Sequence, residues 1–314
     1  MKNYNILIIG CGFFSQNIYL PIVKFFFKKD QVFLYDERPI LKKKTSNFFG
    51  YNYLYKLSKR ELKKNNIKIC FLCFDRKKSF FYAKKILESK IHLFAEKPIC
   101  DSYKNMEILR DISKRSKVIF DGSFQRLFDK NILNLKKKIN NLKFIKLDCF
   151  FESGNFRHNK KTLVRTKEKI SISKKNNDVN SFSYLIFLNR YWHQINVVNY
   201  LTNYVNLKNN KIKFIKYDMF TYYLEILNKN LQIRIHLSSI RKNGWFEKYI
   251  LENKNKKSFF LKAPMKFSKK NLIKTSFYLQ IKNFINSIKI LKNDRVKVFS
   301  KELEFIENLW KNYV

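Results

Sequence analysis

The sequence predicts an α/β protein in which residues 1–121 form a doubly wound parallel sheet and residues 122–314 form an α+β domain with a large, open, mainly antiparallel sheet. Two observations support this prediction. In the first part, short apolar runs alternate with amphipathic stretches of helical length, which is typical of parallel strands joined by crossover helices. From Gly122 onward the strand-like runs become longer and alternate apolar with polar residues, which is typical of a sheet with one exposed face.

The predicted elements of residues 1–121 alternate between strand and helix. Apolar runs predict strands over 5–9, 31–35, 67–74, 91–95 and 118–121. The run over 67–74 is interrupted only by Lys68, as expected of a parallel strand buried on both faces. Helix patterns and capping signals predict helices that begin near Phe13, run over 40–47, begin after Ser58, run over 79–90 and begin again at Asp101 or Ser102.

Residues 122–314 have a different pattern. Strand-like stretches lie over 143–151, 211–217, 222–227, 231–240 and 246–251, and helical patterns lie over 181–201, 276–291 and 301–313. Strict alternation over 231–237 indicates a half-exposed strand. The polar, basic stretch 160–180 predicts a long loop or lid.

Two of the six glycines lie two residues apart directly after the first predicted strand, in Gly10-Cys11-Gly12-Phe13-Phe14-Ser15. A glycine at the first position permits a tight turn. A glycine at the second lets backbone amides approach a pyrophosphate, and the following helix adds a partial positive charge. Ser15 is small enough for close helix–strand packing. The pattern predicts the phosphate-binding loop of a Rossmann domain, and a glycine-rich turn in another α/β protein is the alternative.

The residues that follow the second predicted strand support the dinucleotide interpretation. Asp36 lies about where a carboxylate would accept hydrogen bonds from the adenosine ribose. A carboxylate there repels a 2′-phosphate, so we predict NAD(H) as the favoured cofactor. Arg38 lies two residues later and can weaken that preference, which leaves NADP(H) open.

Composition bounds the classes of partner. The net charge of +42, from 66 basic and 24 acidic residues, would ordinarily indicate nucleic acid or an anionic membrane. The lysines, however, are spread over every predicted helix and loop, without one basic arm or an aromatic-lined groove. This bias, shared with Asn, Ile, Phe and Tyr, is what an AT-rich coding sequence produces. We predict no specific nucleic-acid partner and a weak preference for anionic small molecules.

Hydropathy and cysteine usage exclude further classes. No stretch approaches about 20 uninterrupted apolar residues, and the sequence enters its first strand directly, so we expect a cytoplasmic protein without a membrane segment. Cys70 and Cys73 form a C-x-x-C pair. Both fall within a predicted strand, where a spacing of three points the side chains to opposite faces. We therefore predict buried thiols and no metal site.

A second motif, Glu96-Lys97-Pro98, follows the predicted strand over 91–95. A lysine at the end of a strand in a parallel sheet faces the crevice in which a cofactor lies. With the glycine loop, Pro21 and Asp36, and with three later segments in the same order, this motif makes the chain resemble the glucose-fructose oxidoreductase / inositol dehydrogenase (Gfo/Idh/MocA) family of NAD(P)-dependent sugar oxidoreductases. The later segments are 124–129, a histidine-bearing helix and 284–288.

The resemblance implies roles for the residues of the first part. Lys97 would orient the substrate hydroxyl and favour its developing alkoxide charge, although one more surface lysine is the alternative. Glu96 would lie near the nicotinamide ribose, and the Lys97–Pro98 bond can be cis, as in members of the family. The candidate cofactor-binding residues are Gly10, Gly12, Phe13, Phe14, Asp36, Arg38, Cys73, Phe74, Glu96 and Lys97.

The resemblance also implies a catalytic histidine on the helix of the second part. His193 would act as the general base that takes the hydroxyl proton, with Asn189 one turn earlier as its helper. A histidine in a structural hydrogen bond is the alternative. The family has an acidic residue where Asn189 stands, and Asn196 follows three residues after the histidine. Phe74-Asp75-Arg76 also departs from the family, which has a small residue, a hydroxyl and a proline there.

Several functions fit these observations. The first is an oxidoreductase that acts on a hydroxyl or ketone of a sugar, cyclitol or nucleotide sugar, with Lys97 and His193 as its acid–base pair. The resemblance also implies a homodimer or homotetramer formed through the open sheet. A relative that binds dinucleotide without turnover is the second function. A nucleic-acid-binding protein on the same scaffold and a methyltransferase are weaker alternatives, and the latter gives no role to Glu96-Lys97-Pro98.

Overall fold

The computed structural model describes residues 4–74, 76–141, 144–154, 162–168, 179–206, 210–218, 220–228, 231–241, 245–253, 258–262, 269–291 and 295–313. Contacts divide the chain into two compact units. The first contains Met1–Ser123, Arg157–Asn177 and Phe277–Ser300, and the second contains Phe124–Phe156, Asp178–Ser276 and Lys301–Val314. Residues 157–177 and 277–300 fall in the second part of the predicted division at residue 121, whereas the contacts group both segments with the first unit.

The first unit contains a six-stranded sheet. Its strands are β1 (Asn5–Ile9), β2 (Val32–Tyr35), β3 (Asn52–Tyr53), β4 (Ile67–Leu72), β5 (His92–Ala95) and β6 (Phe120–Gly122). They lie in the order β3-β2-β1-β4-β5-β6, and every neighbouring pair is parallel. The doubly wound parallel sheet that the sequence predicts is confirmed. Because the strand order reverses between β1 and β4, a ligand crevice is expected at their carboxyl ends.

Helices connect these strands and complete the second unit. The described helices are α1 (Leu20–Val23), α2 (Pro39–Phe49), α3 (Lys59–Lys64), α4 (Arg76–Glu88), α5 (Tyr103–Arg115), α6 (Lys130–Asn141), α7 (Val179–Thr202), α8 (Ser276–Ile290) and α9 (Arg295–Tyr313). The two predicted serine caps are present. The Ser58 hydroxyl accepts the Glu61 amide at 3.2 Å, and Ser102, rather than Asp101, accepts the Asn105 amide at 3.2 Å.

Helix α8 explains why its segment belongs to the first unit. Its apolar face carries Phe277, Ile281, Phe284, Ile285 and Ile288, all buried in one cluster with β1, β2 and β4. The Phe284 ring lies 5.9 Å from Phe71 and 5.1 Å from Phe94, measured between ring centroids. This apolar face therefore closes the first unit's core, although its sequence lies more than 150 positions from that sheet.

The second unit contains a mixed sheet. Its strands are β7 (Phe144–Gly154), β8 (Lys211–Lys216), β9 (Tyr222–Asn228), β10 (Leu231–Arg241), β11 (Trp245–Asn253) and β12 (Ser258–Lys262). The order is β12-β11-β7-β10-β9-β8, with β7 and β10 parallel and every other neighbouring pair antiparallel. The predicted mainly antiparallel sheet is confirmed.

One face of this sheet is buried against helices. Ile233, Ile235 and Leu237 point inward from β10, whereas the residues between them are partly exposed, as the alternation predicts. On α7 the Phe187 ring lies 4.8 Å from Tyr222 of β9. The helix is buried along much of its length because it lies over the inner face of the sheet.

Some element boundaries differ from the predictions. The sequence analysis missed β3, β12 and α6, and α9 begins at Arg295 rather than at 301. Within the predicted loop over 160–180, the structure describes 162–168 in the first unit and residues 179 and 180 as the start of α7. The rest of that predicted loop or lid lies outside the described residues.

Candidate dinucleotide-binding and active site

The glycine loop after β1 has the geometry that its sequence predicts. Gly10 has φ of +95°, and a Cβ built on it would lie 2.5 Å from the Cys73 carbonyl oxygen, so no other residue fits without a backbone shift. Its amide donates to the Tyr35 carbonyl at 2.8 Å, and its own carbonyl accepts the Ser15 hydroxyl. The loop is thereby joined to the ends of both β2 and β4.

Gly12 differs from Gly10 because it faces open space. A Cβ built on Gly12 meets no heavy atom within 4 Å. The chain turns helical at the next two residues, Phe13 and Phe14, whose rings meet edge to face at 5.5 Å, and continues through a π-helical turn, Ser15–Tyr19, into α1. A partly exposed glycine backbone at the start of a helix fits the close approach of a pyrophosphate.

Asp36, at the end of β2, is already saturated with hydrogen bonds. Its carboxylate accepts the Cys11 amide at 2.7 Å, the Arg38 amide at 2.9 Å, and the Arg38 guanidinium twice, at 2.8 and 2.9 Å. The side chain of Asp36 is inaccessible to solvent and that of Arg38 is 21% exposed. The hydrogen bond to Asp36 raises the pKa of Arg38. A ribose hydroxyl at this site would meet the outer face of Arg38 unless Arg38 moved.

Cys73 and Phe74 follow β4. The Cys73 amide donates to the Ile9 carbonyl at 2.8 Å, which places it at the edge that Gly10 borders. Burial raises the pKa of its thiol, so it is not a thiolate at neutral pH. Phe74 packs its ring 4.9 Å from Tyr82 of α4. Strand β4 ends at Leu72, so Cys70 lies within it and Cys73 lies one residue beyond its end. The prediction that both cysteines lie within one strand is therefore wrong.

Glu96-Lys97-Pro98 follows β5 at the same edge, and the Lys97–Pro98 peptide bond is cis, as the resemblance allows. The Tyr19 hydroxyl donates to the Glu96 carboxylate and lies 3.1 Å from the Ser123 hydroxyl. Burial raises the pKa of Glu96, while hydrogen bonding to Tyr19 and the charge of Lys97 oppose this shift. Burial likewise lowers the pKa of the Lys97 ammonium, and Glu96 opposes that change.

These residues converge because the sheet is parallel. Gly10, Asp36, Cys73 and Glu96 each follow the carboxyl end of a different strand of the first unit, so the structure brings the candidate cofactor-binding residues to one edge. Tyr19 and Ser123 were not singled out from the sequence. Tyr19 could have been suspected, since it lies on the helix that the glycine loop begins, whereas nothing in the local pattern marks Ser123.

His193 and Asn189 lie in the second unit, one turn apart on α7 and therefore on the same helix face. His193 is buried, with its ring 5.7 Å from Phe124, whereas Asn189 is exposed. Asn196 is buried, and its amide donates to both carboxylate oxygens of Glu302 at 3.1 and 3.0 Å. Asn196 thus belongs to a group of side chains around Glu302, whereas the resemblance considers it only as a neighbour of His193 along the helix.

Glu302 of α9 is the centre of that group. Besides Asn196, it accepts the indole N–H of Trp192 at 3.2 Å and the amide of Asn199 at 2.7 Å. Burial raises the pKa of Glu302 to about 7, while the hydrogen bonds from Asn196, Asn199 and Trp192 oppose the shift. No local sequence pattern reveals this carboxylate, because it lies 106 positions along the chain from Asn196.

The motif over 124–129 also has a structural role that the sequence did not reveal. Arg126 is 1% exposed and forms a two-pronged ion pair with Glu247 of β11, which is equally buried, and a further bond of 2.6 Å with Asp129. Although burial alone would lower the pKa of Arg126, Glu247 and its neighbours raise it. The arginine therefore joins the start of the second unit to its sheet.

Within the described parts of the chain, no helix combines the length and the apolar character needed to cross a membrane. Among the same residues, no group of three or more His, Cys, Asp or Glu side chains is arranged to hold a metal ion.

Comparisons with known proteins extend these observations. Residues 4–122 match the model of a family described as "Oxidoreductase family, NAD-binding Rossmann fold". A search of curated protein sequences found no match. Solved structures with the same fold include myo-inositol 2-dehydrogenase from Lactobacillus plantarum, at 13% identity and TM-score 0.73, covering 98% of this chain and 96% of that one.

Two further structures cover almost the whole chain. GenD2 from gentamicin A biosynthesis, in complex with NAD, has 9% identity and a TM-score of 0.72, covering 98% of this chain and 93% of that one. UDP-N-acetylglucosamine 3-dehydrogenase GnnA from Acidithiobacillus ferrooxidans has 10% identity and a TM-score of 0.70, covering 100% and 98%. At these identities the likeness establishes the fold, which contains both sheets.

Proposed function

We propose that the protein is an NAD(H)-dependent oxidoreductase of the Gfo/Idh/MocA family, acting on a hydroxyl or ketone of a sugar, cyclitol or nucleotide sugar. The match of residues 4–122 to the model of that family supports this proposal. The observation that carries the proposal is the open space over Gly12 at the edge that also holds Glu96 and Lys97. Inositol and nucleotide-sugar dehydrogenases among the structures of the same fold support the substrate class.

The residues fit a bound dinucleotide. Gly10 and Gly12 hold the backbone where a pyrophosphate would approach, and Phe13 and Phe14 begin the helix whose amides face it. The nicotinamide, when bound, supplies or accepts the hydride. Asp36 and Arg38 border the position of the adenosine ribose, and Glu96 that of the nicotinamide ribose.

Lys97 is proposed to orient the substrate oxygen and to stabilise negative charge on it. Its ammonium has a pKa lowered by burial, which brings the group closer to donating and accepting a proton near neutral pH. The neighbouring Glu96 carboxylate accepts the Tyr19 hydroxyl and is also hydrogen bonded to the Ser123 side chain. His193 is proposed as the general base for the hydroxyl proton, with Asn189 orienting the hydroxyl from one helical turn away.

Binding without turnover is the second candidate function, and one observation favours it. Neither residue around His193 that could replace the family's acid carries a charge: Asn189 is an exposed amide, and Asn196 is bonded to Glu302. An imidazolium at His193 would then lack a carboxylate from its own helix. The two functions share the cofactor site and differ only in catalysis.

A fluorescence titration with NADH, followed by a screen of sugars, cyclitols and nucleotide sugars, tests the proposal. We expect saturable NADH binding that is lost in Gly12→Leu, because the leucine fills the open space. Gly50→Ala, at a glycine of φ +69° remote from the loop, is the matched control and retains binding. No NADH binding by folded wild-type protein would refute both functions.

Turnover then separates the two functions. The oxidoreductase predicts a substrate whose conversion falls by at least about 100-fold in Lys97→Ala and in His193→Ala, with NADH binding retained. If no substrate in the screen is converted while NADH binds, the result favours the non-catalytic relative.

The oligomeric state follows from the same proposal. The outer face of the second sheet carries aromatic and charged side chains, including Phe150 stacked on His236 at 4.5 Å and Lys248 over the Phe150 ring. We propose that this face pairs with a second copy in a homodimer or homotetramer. Light scattering coupled to size-exclusion chromatography measures the mass, and a monomer at micromolar concentration would contradict this part of the proposal.

A further inference from the structure

A carboxylate from a distant part of the sequence caps the helix that follows Asp36 and Arg38. The amides of Ile40 and Leu41, in the first turn of α2, donate to the two oxygens of Glu168 at 3.0 and 2.8 Å. The Thr166 hydroxyl donates to the same carboxylate at 3.1 Å. Glu168 therefore occupies the position at which the end of this helix favours negative charge.

The segment 162–168, which contains Glu168, is also hydrogen bonded to Gln16 through Val164. The Val164 amide donates to the Gln16 side-chain oxygen at 2.7 Å, and the Gln16 side-chain nitrogen donates to the Val164 carbonyl at 3.0 Å. Gln16 is completely buried and also donates to the Cys11 carbonyl at 2.8 Å. The segment is thus fixed both to the glycine-loop helix and to α2.

The charge of Asp36 alone does not explain a preference for an unphosphorylated ribose. Its carboxylate is neutralised by the two-pronged bond to Arg38, so a 2′-phosphate would meet a guanidinium rather than a bare carboxylate. The amides of Ile40 and Leu41, two and three residues further on, would add to that attraction. Without another negative charge, this position would favour the phosphate.

Other charged groups near this edge are already engaged. The Lys42 ammonium donates to the carbonyls of Leu54 and Tyr55 at 2.8 and 3.2 Å. Glu37 accepts from Lys78 at 2.6 Å and from Tyr82 at 2.5 Å. Glu168 is therefore the carboxylate that lies against the α2 amides, within the described residues of the first unit.

Glu168 is charged at neutral pH. Burial alone would raise the pKa of its carboxyl group, but the hydrogen bonds from Ile40, Leu41 and Thr166, with Arg38 nearby, lower it. Its negative charge is therefore present at the neutral pH at which a dinucleotide would bind.

We propose that Glu168 is a specificity-determining residue of the adenosine-ribose position. It takes the place that a 2′-phosphate would take at the α2 amides, and it repels that phosphate, so that the protein favours NAD(H) over NADP(H). This inference rests on the proposed function, because it assumes that a dinucleotide binds at this edge.

The test is to titrate wild type, Glu168→Gln and a control with NADH and with NADPH at one fixed salt concentration, following cofactor fluorescence. The glutamine keeps an oxygen for the helix amides and removes the charge. We expect its NADPH affinity to rise roughly five- to tenfold, while its NADH affinity changes less than about twofold. Glu304→Gln, which removes an exposed carboxylate from α9, should leave both affinities unchanged.

Other outcomes overturn the inference. Equal weakening of both cofactors in Glu168→Gln would show that Glu168 only holds the 162–168 segment in place. An unchanged ratio of affinities, with NADH still bound, would refute the role of Glu168 and leave the proposed function standing. If folded wild type bound neither cofactor, both would fall. Should the glutamine variant not fold, Glu168→Ala is measured against the same expectations.

Discussion

Two of the arginines that bind a carboxylate through two nitrogens, Arg38 in the first unit and Arg126 in the second, belong to pairs that differ in exposure. Arg126 and Glu247, in the second unit, are each 1% exposed. Asp36, in the first unit, is equally hidden, but its partner Arg38 reaches the surface at the edge where the glycine loop lies. The sealed pair, Arg126–Glu247, can affect only the stability of the fold because solvent does not reach it. The open pair, Asp36–Arg38, has a charged group at the surface, where it can contact a ligand.

This difference separates stability from binding. A buried ion pair that loses one member leaves an uncompensated charge, which is costly. A carboxylate that keeps backbone amide donors after its arginine is lost is still partly compensated, so the fold changes less and the affinity for a ligand changes more. The following variants test this contrast, in order of decreasing effect.

The largest effect is expected from Glu247→Ala, which leaves the Arg126 guanidinium buried with only Asp129 as its acidic partner. We expect a loss of about 3 kcal/mol or more in the free energy of unfolding. Urea titration followed by tryptophan fluorescence measures it, because Trp192, Trp245 and Trp310 all lie in the second unit.

The matched control lies on the same strand. Glu252 pairs with Lys146 at 3.7 Å while both remain partly exposed, so Glu252→Ala should cost less than about 1 kcal/mol. Similar losses in the two variants would contradict the distinction between sealed and open pairs.

The next effect is a pH dependence due to Glu302, a sealed carboxylate that hydrogen bonds to neutral donors. Its pKa of about 7 in the folded protein exceeds the usual 4.5, so the folded state holds the proton more tightly than the unfolded state does. The resulting stability is present at low pH and is lost as pH rises through 7. From pH 5 to 8 we expect a decrease of roughly 2–3 kcal/mol from this group.

Glu302→Gln should remove that part of the pH dependence, as measured by urea unfolding at pH 5, 6, 7 and 8. Glu304→Gln, exposed on the same helix, should leave the dependence as in wild type. An identical slope in wild type and Glu302→Gln would show that Glu302 does not change its protonation state in this range.

The smallest effect on stability, about 1 kcal/mol, is expected from Arg38→Ala, because the Asp36 carboxylate keeps the backbone amides of Cys11 and residue 38 as hydrogen-bond donors. The variant leaves the Asp36 carboxylate open to the ribose hydroxyls, so NADH should be preferred over NADPH more strongly than in wild type. Parallel titrations with the two cofactors measure that preference. If Arg38→Ala instead prefers NADPH more strongly than wild type does, Arg38 disfavours binding of the 2′-phosphate.

The sequence predicted features that depend on neighbouring residues. Alternation of strand and helix, the Gly10–Gly12 spacing and the two serine caps are local patterns, and they led to the correct sheets. The cis bond at Pro98 was expected only from the family resemblance. The two polar groups in the second unit could not be predicted in the same way. Arg126 and Glu247 lie 121 positions apart, and no periodicity connects them.

The position of Glu168 was missed for a similar reason. It lies in a lysine-rich stretch that the sequence marks only as a polar loop, and it lies 127 positions from the helix amide that it accepts. Asp36 lies at the end of β2, as its motif position predicts, yet its hydrogen bonds with Arg38 change what its charge can do. The residue type at a motif position thus predicts where a side chain lies better than it predicts the hydrogen bonds that this side chain forms.

The place of helix α8 has a consequence for how the chain is made. The Gln280 side chain donates to the Gly122 carbonyl at 2.8 Å, and Arg295 pairs with Asp121 at 2.9 Å, so the last strand of the first sheet is completed by residues near the end of the chain. During synthesis the first unit therefore cannot close its core until α8 has been made. The nascent amino-terminal sheet would expose the surface that Phe284 covers, which makes it a natural client for chaperones that bind apolar segments.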